Sequence, residues 1–144
     1  MGLKYWHGSH TKHRLVYHIV FLPKYRKRIL RGKIAKRIIE LFYQACRVNN
    51  WWIDEIHVMP DHVHFLIQIQ SNISLSKAVN IIKDGSSRIL RKEFEESEEF
   101  LWGESFWSDG YFAETVGRSN YEQVKRYIQE NQETMPQETK NHGL

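Results

Sequence analysis

The chain has 144 residues, 41% hydrophobic and 13% aromatic with five Trp, which is enough for one domain's core and too apolar for wholesale disorder. Lys and Arg total 21 against 17 Asp and Glu, a mild excess of +4, and the lone Cys46 excludes a disulfide framework or a cysteine-built zinc site. No apolar run approaches the roughly 18 residues of a membrane span, and no basic-then-apolar signal opens the chain, so a cytoplasmic address is expected.

The predicted elements follow in order. Arg14 to Leu22 is a β-branched and aromatic run ended by Pro23, the pattern of a buried central strand. A basic stretch follows, with Lys24, Arg26, Lys27, Arg28, Arg31, Lys33, Lys36 and Arg37 and no acid among them. Behind Gly32 a helical stripe of Ile34, Ile38, Leu41, Phe42 and Ala45 fades at Asn49 and Asn50. Trp51 to Met59 reads as a second strand, Pro60-Asp61 as a tight turn, and His62 to Gln70 as an alternating third strand. Ser74 offers an N-cap to a helix striped by Leu75, Ala78, Val79, Ile82, Ile89, Leu90 and Phe94.

Five Glu between Glu93 and Glu99 then read as an acidic loop. Ser105 to Val116 is predicted as a fourth strand with Asp109-Gly110 as a turn or bulge inside it. Gly117 breaks it, and Asn120 to about Gln132 carries Tyr121, Val124 and Ile128 on the apolar face of a last helix. A core of about residues 9–132 in one domain, with residues 133–144 fraying, is expected. The order is β-α-β-β-α-β plus a C-terminal helix, an α+β split βαβ arrangement shared by many unrelated proteins.

Charge and spacing single out two clusters. The acid-free basic stretch, set against the acidic segment, suggests a polyanion partner on one face, although a solvated loop and helix start have the same composition. His62 and His64 flank Val63, so both imidazoles project from one face of the strand, opposite Val63, Phe65, Ile67 and Ile69. That face is not needed for the core, and two imidazoles there can hold one divalent cation or stand as polar surface. On the last helix Tyr127 and Asn131 share a face, so an amide could complete a ligand set beside a hydroxyl nucleophile. A tyrosine simply packing on the sheet fits the same spacing.

Met59-Pro60-Asp61-His62-Val63-His64-Phe65 resembles the His-apolar-His (HUH) strand of the single-tyrosine transposases, TnpA, of insertion sequence family 200/605. Tyr17-His18-Ile19-Val20-Phe21 and Pro23-Lys24-Tyr25-Arg26-Lys27 are similar to the family's first strand and basic turn. Lys83-Asp84-Gly85-Ser86-Ser87-Arg88 resembles its Lys-Gly-x-Ser-Ser-Arg segment, with Asp84 where Gly is usual. Trp107 to Gly117 and Val124-Lys125-Arg126-Tyr127-Ile128 are similar to its fourth strand and tyrosine helix.

The resemblance implies excision and insertion of a transposon as single-stranded DNA marked by hairpins, through a 5′-phosphotyrosine intermediate. It implies Tyr127 as nucleophile, and a divalent metal, Mg²⁺ or Mn²⁺, on His62, His64 and a third ligand. The family's Gln four residues after the tyrosine is Asn131 here, with Gln132 as the alternative. It also implies a homodimer in which the histidines of one subunit meet the tyrosine helix of the other. Lys24, Arg26, Lys27, Arg28, Lys83, Ser87 and Arg88 are the expected DNA contacts, with Tyr25, Trp107 or Tyr111 available to stack on unpaired bases. The rival readings are a related HUH nuclease, such as a replication initiator or a domesticated repeat-associated transposase, a non-enzymatic single-strand binding module, and a zinc hydrolase.

Overall fold

A computed structural model describes residues 14–130, in which four antiparallel strands lie in the order β2-β3-β1-β4. The strands are β1 (Arg14–Phe21), β2 (Trp52–Met59), β3 (His62–Gln70) and β4 (Phe112–Val116). The helices are α1 (Gly32–Asn49), α2 (Leu75–Glu93), the short α3 (Glu98–Leu101) and α4 (Tyr121–Glu130). This is the α+β split βαβ fold with a C-terminal helix that the element order predicts.

Alternation along the two central strands sorts side chains between the faces. Tyr17, Ile19 and Phe21 of β1 and Val63, Phe65, Ile67 and Ile69 of β3 pack under Ile38, Leu41 and Phe42 of α1 and Ala78, Val79, Ile82 and Leu90 of α2. Each such fully buried side chain contributes about 1.5–3 kcal/mol by leaving water. Trp107 closes this core, its ring 5.5 Å from Phe21 and 4.9 Å from Phe106 and its indole N–H donating to Ser86 Oγ at 2.9 Å. Trp107 is therefore core and cannot stack on a base.

Local chemistry sets the element ends. The Ser74 hydroxyl accepts from the Lys77 N–H at 3.1 Å and caps α2, as its position predicts. α1 stops where Asn50 turns into the left-handed region (φ 61°) and its N–H bonds back to the Arg47 and Cys46 carbonyls. Burial pushes the Cys46 thiol up to about 12, so it is an inert core residue.

Three expectations are corrected. The fourth strand is less than half its predicted length, because residues 105–110 form a loop whose one ladder contact with the sheet edge is a Pro23–Trp107 bridge. The acidic segment is not all loop: Glu95–Ser97 forms a 3₁₀ turn and α3 follows it. The second sheet face is not open. α4 lies across it, burying Val16, Leu66 and Val116 against Tyr121 and Ile128. His62 and His64, expected on an exposed face, are 4% and 0% accessible.

Candidate active site

β3 brings His62 and His64 to the α4 face, and the antiparallel register adds neighbours that linear spacing does not show. His64 stands opposite His57 of β2 and Val20 of β1, and His18 stands two residues before Val20 on the same face. The ring centroids of His62 and His64 are 5.5 Å apart, those of His18 and His64 5.7 Å, and those of His57 and His64 6.2 Å. Tyr127 completes the cluster from above, edge-on to His64 at 5.8 Å and to His18 at 6.2 Å.

Two hydrogen bonds anchor α4 in this position, and a third, from Gln68 of β3, steadies the Asp54 carboxylate that one of them uses. The Tyr121 hydroxyl and the Gln68 amide both donate to Asp54 Oδ2 at 2.8 Å, and Gln129 Nε2 donates to Glu55 Oε1 at 3.1 Å. Asp54 reaches this side at an irregularity in the β2–β3 register between Ile53 and Glu55. Burial and the Asp54 carboxylate push the Tyr121 phenol well above its usual range, so the first tyrosine of the helix is a fixed donor. Tyr127, half-buried, is the one that faces the histidines.

The electrostatics favour neutral imidazoles. Burial, helped by the nearby His18, His62 and His57, lowers the His64 value to about 3. Burial also lowers that of His62, against the pull of Asp61. Asp61 Oδ1 lies 2.9 Å from His62 Nδ1, and Asp61 Oδ2 accepts from Arg26 Nε at 3.1 Å. Although burial opposes its ionisation, these two donors hold the Asp61 carboxyl below the usual range. A carboxylate at Nδ1 keeps the proton on that nitrogen and turns the Nε2 lone pair of His62 outward. His62 Nε2 and both ring nitrogens of His64 are buried without a hydrogen-bond partner. Orphaned lone pairs are costly in a dry site, and they are the donor atoms a divalent cation requires. Among the described residues no third His, Cys, Asp or Glu joins them in a metal-binding group. Asn131 and Gln132, the expected third ligands, lie outside the described residues.

His18 and His57 join the cluster without having been singled out as site residues. His18 Nδ1 lies 3.2 Å from Glu114 Oε2 across the β1–β4 pair. The shared parity of His18 with Val16 and Val20 was available in the sequence, but the pairing of β1 with β3 was needed to aim it at His64.

The basic residues divide into two sets. Lys24, Arg26, Lys27 and Arg28 follow β1 in a turn pinned by the Lys24 N–H to the Phe106 carbonyl at 2.8 Å. Within it Lys24 pairs with Asp109 at 3.4 Å and Arg26 with Asp61, while Lys27 and Arg28 are exposed. Arg88 is exposed on α2, lining a surface pocket with Arg91 and Lys92. Lys83 and Ser87 are committed inside the fold. The Lys83 ammonium donates to the carbonyls of Ser108, Asp109 and Gly110, and Ser87 Oγ accepts from the Phe106 N–H at 2.8 Å. Together with Ser86 they clip the 105–110 loop to α2. Replacing Lys83 by Met is therefore expected to cost about 2–4 kcal/mol in a urea melt, since buried carbonyls lose their donor. A weaker DNA affinity at unchanged stability would instead restore a phosphate contact.

The fold, taken with the family match below, places the domain in the transposase class. Residues 11–131 match the family described as "Transposase IS200 like", and the chain belongs to that family; it is a DNA transposase. It is 32% identical over 120 residues to the transposase for insertion sequence element IS200 of Salmonella typhimurium, spanning 83% of this chain and 78% of that one. The ISDra2 transposase TnpA of Deinococcus radiodurans is 28% identical over 122 residues, 85% of this chain and 87% of its own. The crystal structure of a putative transposase from that organism superposes with a TM-score of 0.67 at 26% identity, covering 81% of this chain and 89% of that one. A REP-associated tyrosine transposase solved bound to a REP hairpin shares the fold, with a TM-score of 0.61 at 15% identity over 81% of this chain and 65% of that one.

Proposed function

We propose that the chain cleaves and rejoins single-stranded DNA at hairpin-marked transposon ends through a 5′-phosphotyrosine intermediate on Tyr127. The observation that carries this reading is the Tyr127 ring set 5.8 Å from His64, whose two ring nitrogens are buried and without partners. His62 Nε2 and one ring nitrogen of His64 would hold Mg²⁺ or Mn²⁺, with Asn131, or Gln132 in its place, as the third ligand. Two imidazoles suit Mn²⁺ better than oxygen-preferring Mg²⁺. Such a metal supplies positive charge to the scissile phosphate.

The remaining work falls to the chain itself. Asp61 fixes the proton of His62 at Nδ1, and Arg26 fixes Asp61. Burial keeps His64 neutral. α4, anchored through Tyr121 and Gln129, holds Tyr127 over the pair. The Tyr127 oxygen attacks the phosphorus and loses its proton, and the bond to the 3′-oxygen breaks. That leaves a free 3′-hydroxyl and a phosphotyrosine whose bond energy serves rejoining, so no nucleotide cofactor is required. The basic turn and Arg88 meet hairpin phosphates.

A binding module that stacks bases on the sheet is disfavoured, since α4 covers the face such a platform would use. Two copies of the chain form the working unit in this reading. Within the described chain, however, α4 lies on its own sheet, so the histidines and Tyr127 already meet in one subunit. Incubation with a hairpin-bearing single-stranded oligonucleotide and Mn²⁺ is expected to yield a covalent adduct on a denaturing gel, lost with a chelator. Absence of any adduct with Mn²⁺ or Mg²⁺ overturns the mechanism.

A further inference from the structure

Trp102 and Tyr25 are exposed aromatic residues held in backbone conformations that bulky side chains avoid. Trp102 is 81% and Tyr25 59% accessible. Both have positive φ, 52° at Trp102 and 61° at Tyr25, and Arg26 beside Tyr25 is at 52°. Each is braced. The Trp102 N–H donates to the Glu98 carbonyl at 3.3 Å, and the next N–H, that of Gly103, donates to Glu98 Oε1 at 3.2 Å. Glu98 is itself gripped by Arg91 at 2.8 Å. The Tyr25 hydroxyl donates to Glu104 Oε1 at 3.1 Å, fixing its ring. An apolar side chain of that size gains nothing from water, so bracing it outward costs stability without return in the free chain.

The two rings border one cleft of about 680 Å³, lined also by Arg26, Lys27, Arg28, Glu99 and Phe100. Lys27 Nζ lies 5.4 Å from the Phe100 ring, and Arg28 makes no ion pair among the described residues. Of the nearby acids, Glu104 is engaged by Tyr25 and Lys24 and Asp61 by Arg26, which leaves Glu99 against two cations, Lys27 and Arg28. Aromatic faces set among cations match unpaired nucleotides, whose bases stack while their phosphates take the charge. The cleft is also wired to the histidines, because Arg26 grips Asp61 and Asp61 holds His62.

We propose that this cleft binds unpaired nucleotides of the single-stranded substrate, with Trp102 as the stacking platform and Tyr25 and Arg28 as its flanks. The proposal rests on the single-strand reading above and extends it to a site remote from the histidine pair. A strand seated there would be led past Arg26 towards His62, so base stacking at the cleft registers the DNA before it reaches Tyr127.

The test measures binding of two labelled oligonucleotides by fluorescence anisotropy, without metal: a blunt, fully paired hairpin and the same hairpin with an unpaired extension. For Trp102→Ala, affinity for the extended hairpin is expected to fall by between about fivefold and a hundredfold, the range for loss of one stacked base. The blunt hairpin is expected to bind as before, and Trp102→Phe to retain most of the affinity. Equal affinity of wild type and Trp102→Ala for the extended DNA overturns the proposal, as does an equal loss on both oligonucleotides. Altered sedimentation of Trp102→Ala with DNA binding unchanged would assign the tryptophan to a protein contact and also overturn it. Wild-type protein that binds neither oligonucleotide would fail the single-strand reading itself, a result distinct from all of these.

Discussion

Tyr127→Phe is expected to abolish covalent attachment of DNA, lowering the rate of adduct formation by at least about a thousandfold. The substitution deletes one oxygen and keeps the ring that packs 5.8 Å from His64 and 6.2 Å from His18, so α4 should stay docked. Hairpin affinity and the thermal midpoint, measured alongside, separate loss of chemistry from loss of structure. Tyr121→Phe makes the contrast on the same helix. Its hydroxyl donates to Asp54 at 2.8 Å, and removing that donor should cost about 1–3 kcal/mol while leaving attack intact. The readout is an end-labelled hairpin oligonucleotide resolved on a denaturing gel after a timed incubation. Adduct persisting in Tyr127→Phe, or vanishing only in Tyr121→Phe, would assign the nucleophile elsewhere.

Acid is expected to destabilise the metal-free protein well above the range in which carboxylates titrate. His64 has a folded value of about 3 against 6.5 for the free side chain, because burial and the surrounding histidines oppose its charge. Between those values the unfolded chain takes up a proton that the folded chain refuses. Stability is thus fully present above about pH 6.5 and is lost progressively as pH falls towards 3. His62 is shifted in the same direction. At pH 5 the His64 contribution alone is about 2 kcal/mol, which lowers a urea midpoint by on the order of 1 M. Asp54, raised by burial, acts the other way as pH falls, and so trims the loss. Asp61, Glu93 and Glu98 have lowered values and lose their contributions only at more acid pH, so the loss at pH 5 comes from the histidines less the part that Asp54 offsets. Urea melts at pH 7.5 and 5.0 with a chelator present check this, and His64→Gln should flatten the difference. An unchanged or higher midpoint at pH 5 in the wild type would contradict a dry, neutral His64.

Local patterns in the sequence were enough to place the four strands and the three long helices, though not the start of β4 or the short α3. The β-branched run at Arg14, the alternation after His62 and the cap at Ser74 are local, and local sterics decide them. The pairing of His62 with His64 on one face was legible for the same reason, since a strand repeats every two residues. The identity of the family followed from motifs in order along the chain, which do not depend on how the elements pack.

Packing decided the rest. Whether the histidine face met water or a helix could not be read from β3, because the covering residues Tyr121 and Ile128 lie some sixty residues downstream. That coverage turns polar surface into a dry pocket with orphaned nitrogens, and only then do burial and neighbouring rings shift the histidines. The Lys83-to-Ser87 segment reads as basic and polar, hence DNA-facing, yet its ammonium and hydroxyls face loop 105–110, which folds back against α2. Trp102 and Trp107 differ in the opposite sense. Five positions apart in an aromatic stretch, one is core and the other is held in solvent by a turn braced through Glu98. Sequence alone determined the long helices, the strands other than the start of β4, the family and the paired histidines, because these depend on near neighbours. Tertiary structure alone decided which side chains are desolvated and which stay exposed, because solvent exposure is set by segments distant in the chain.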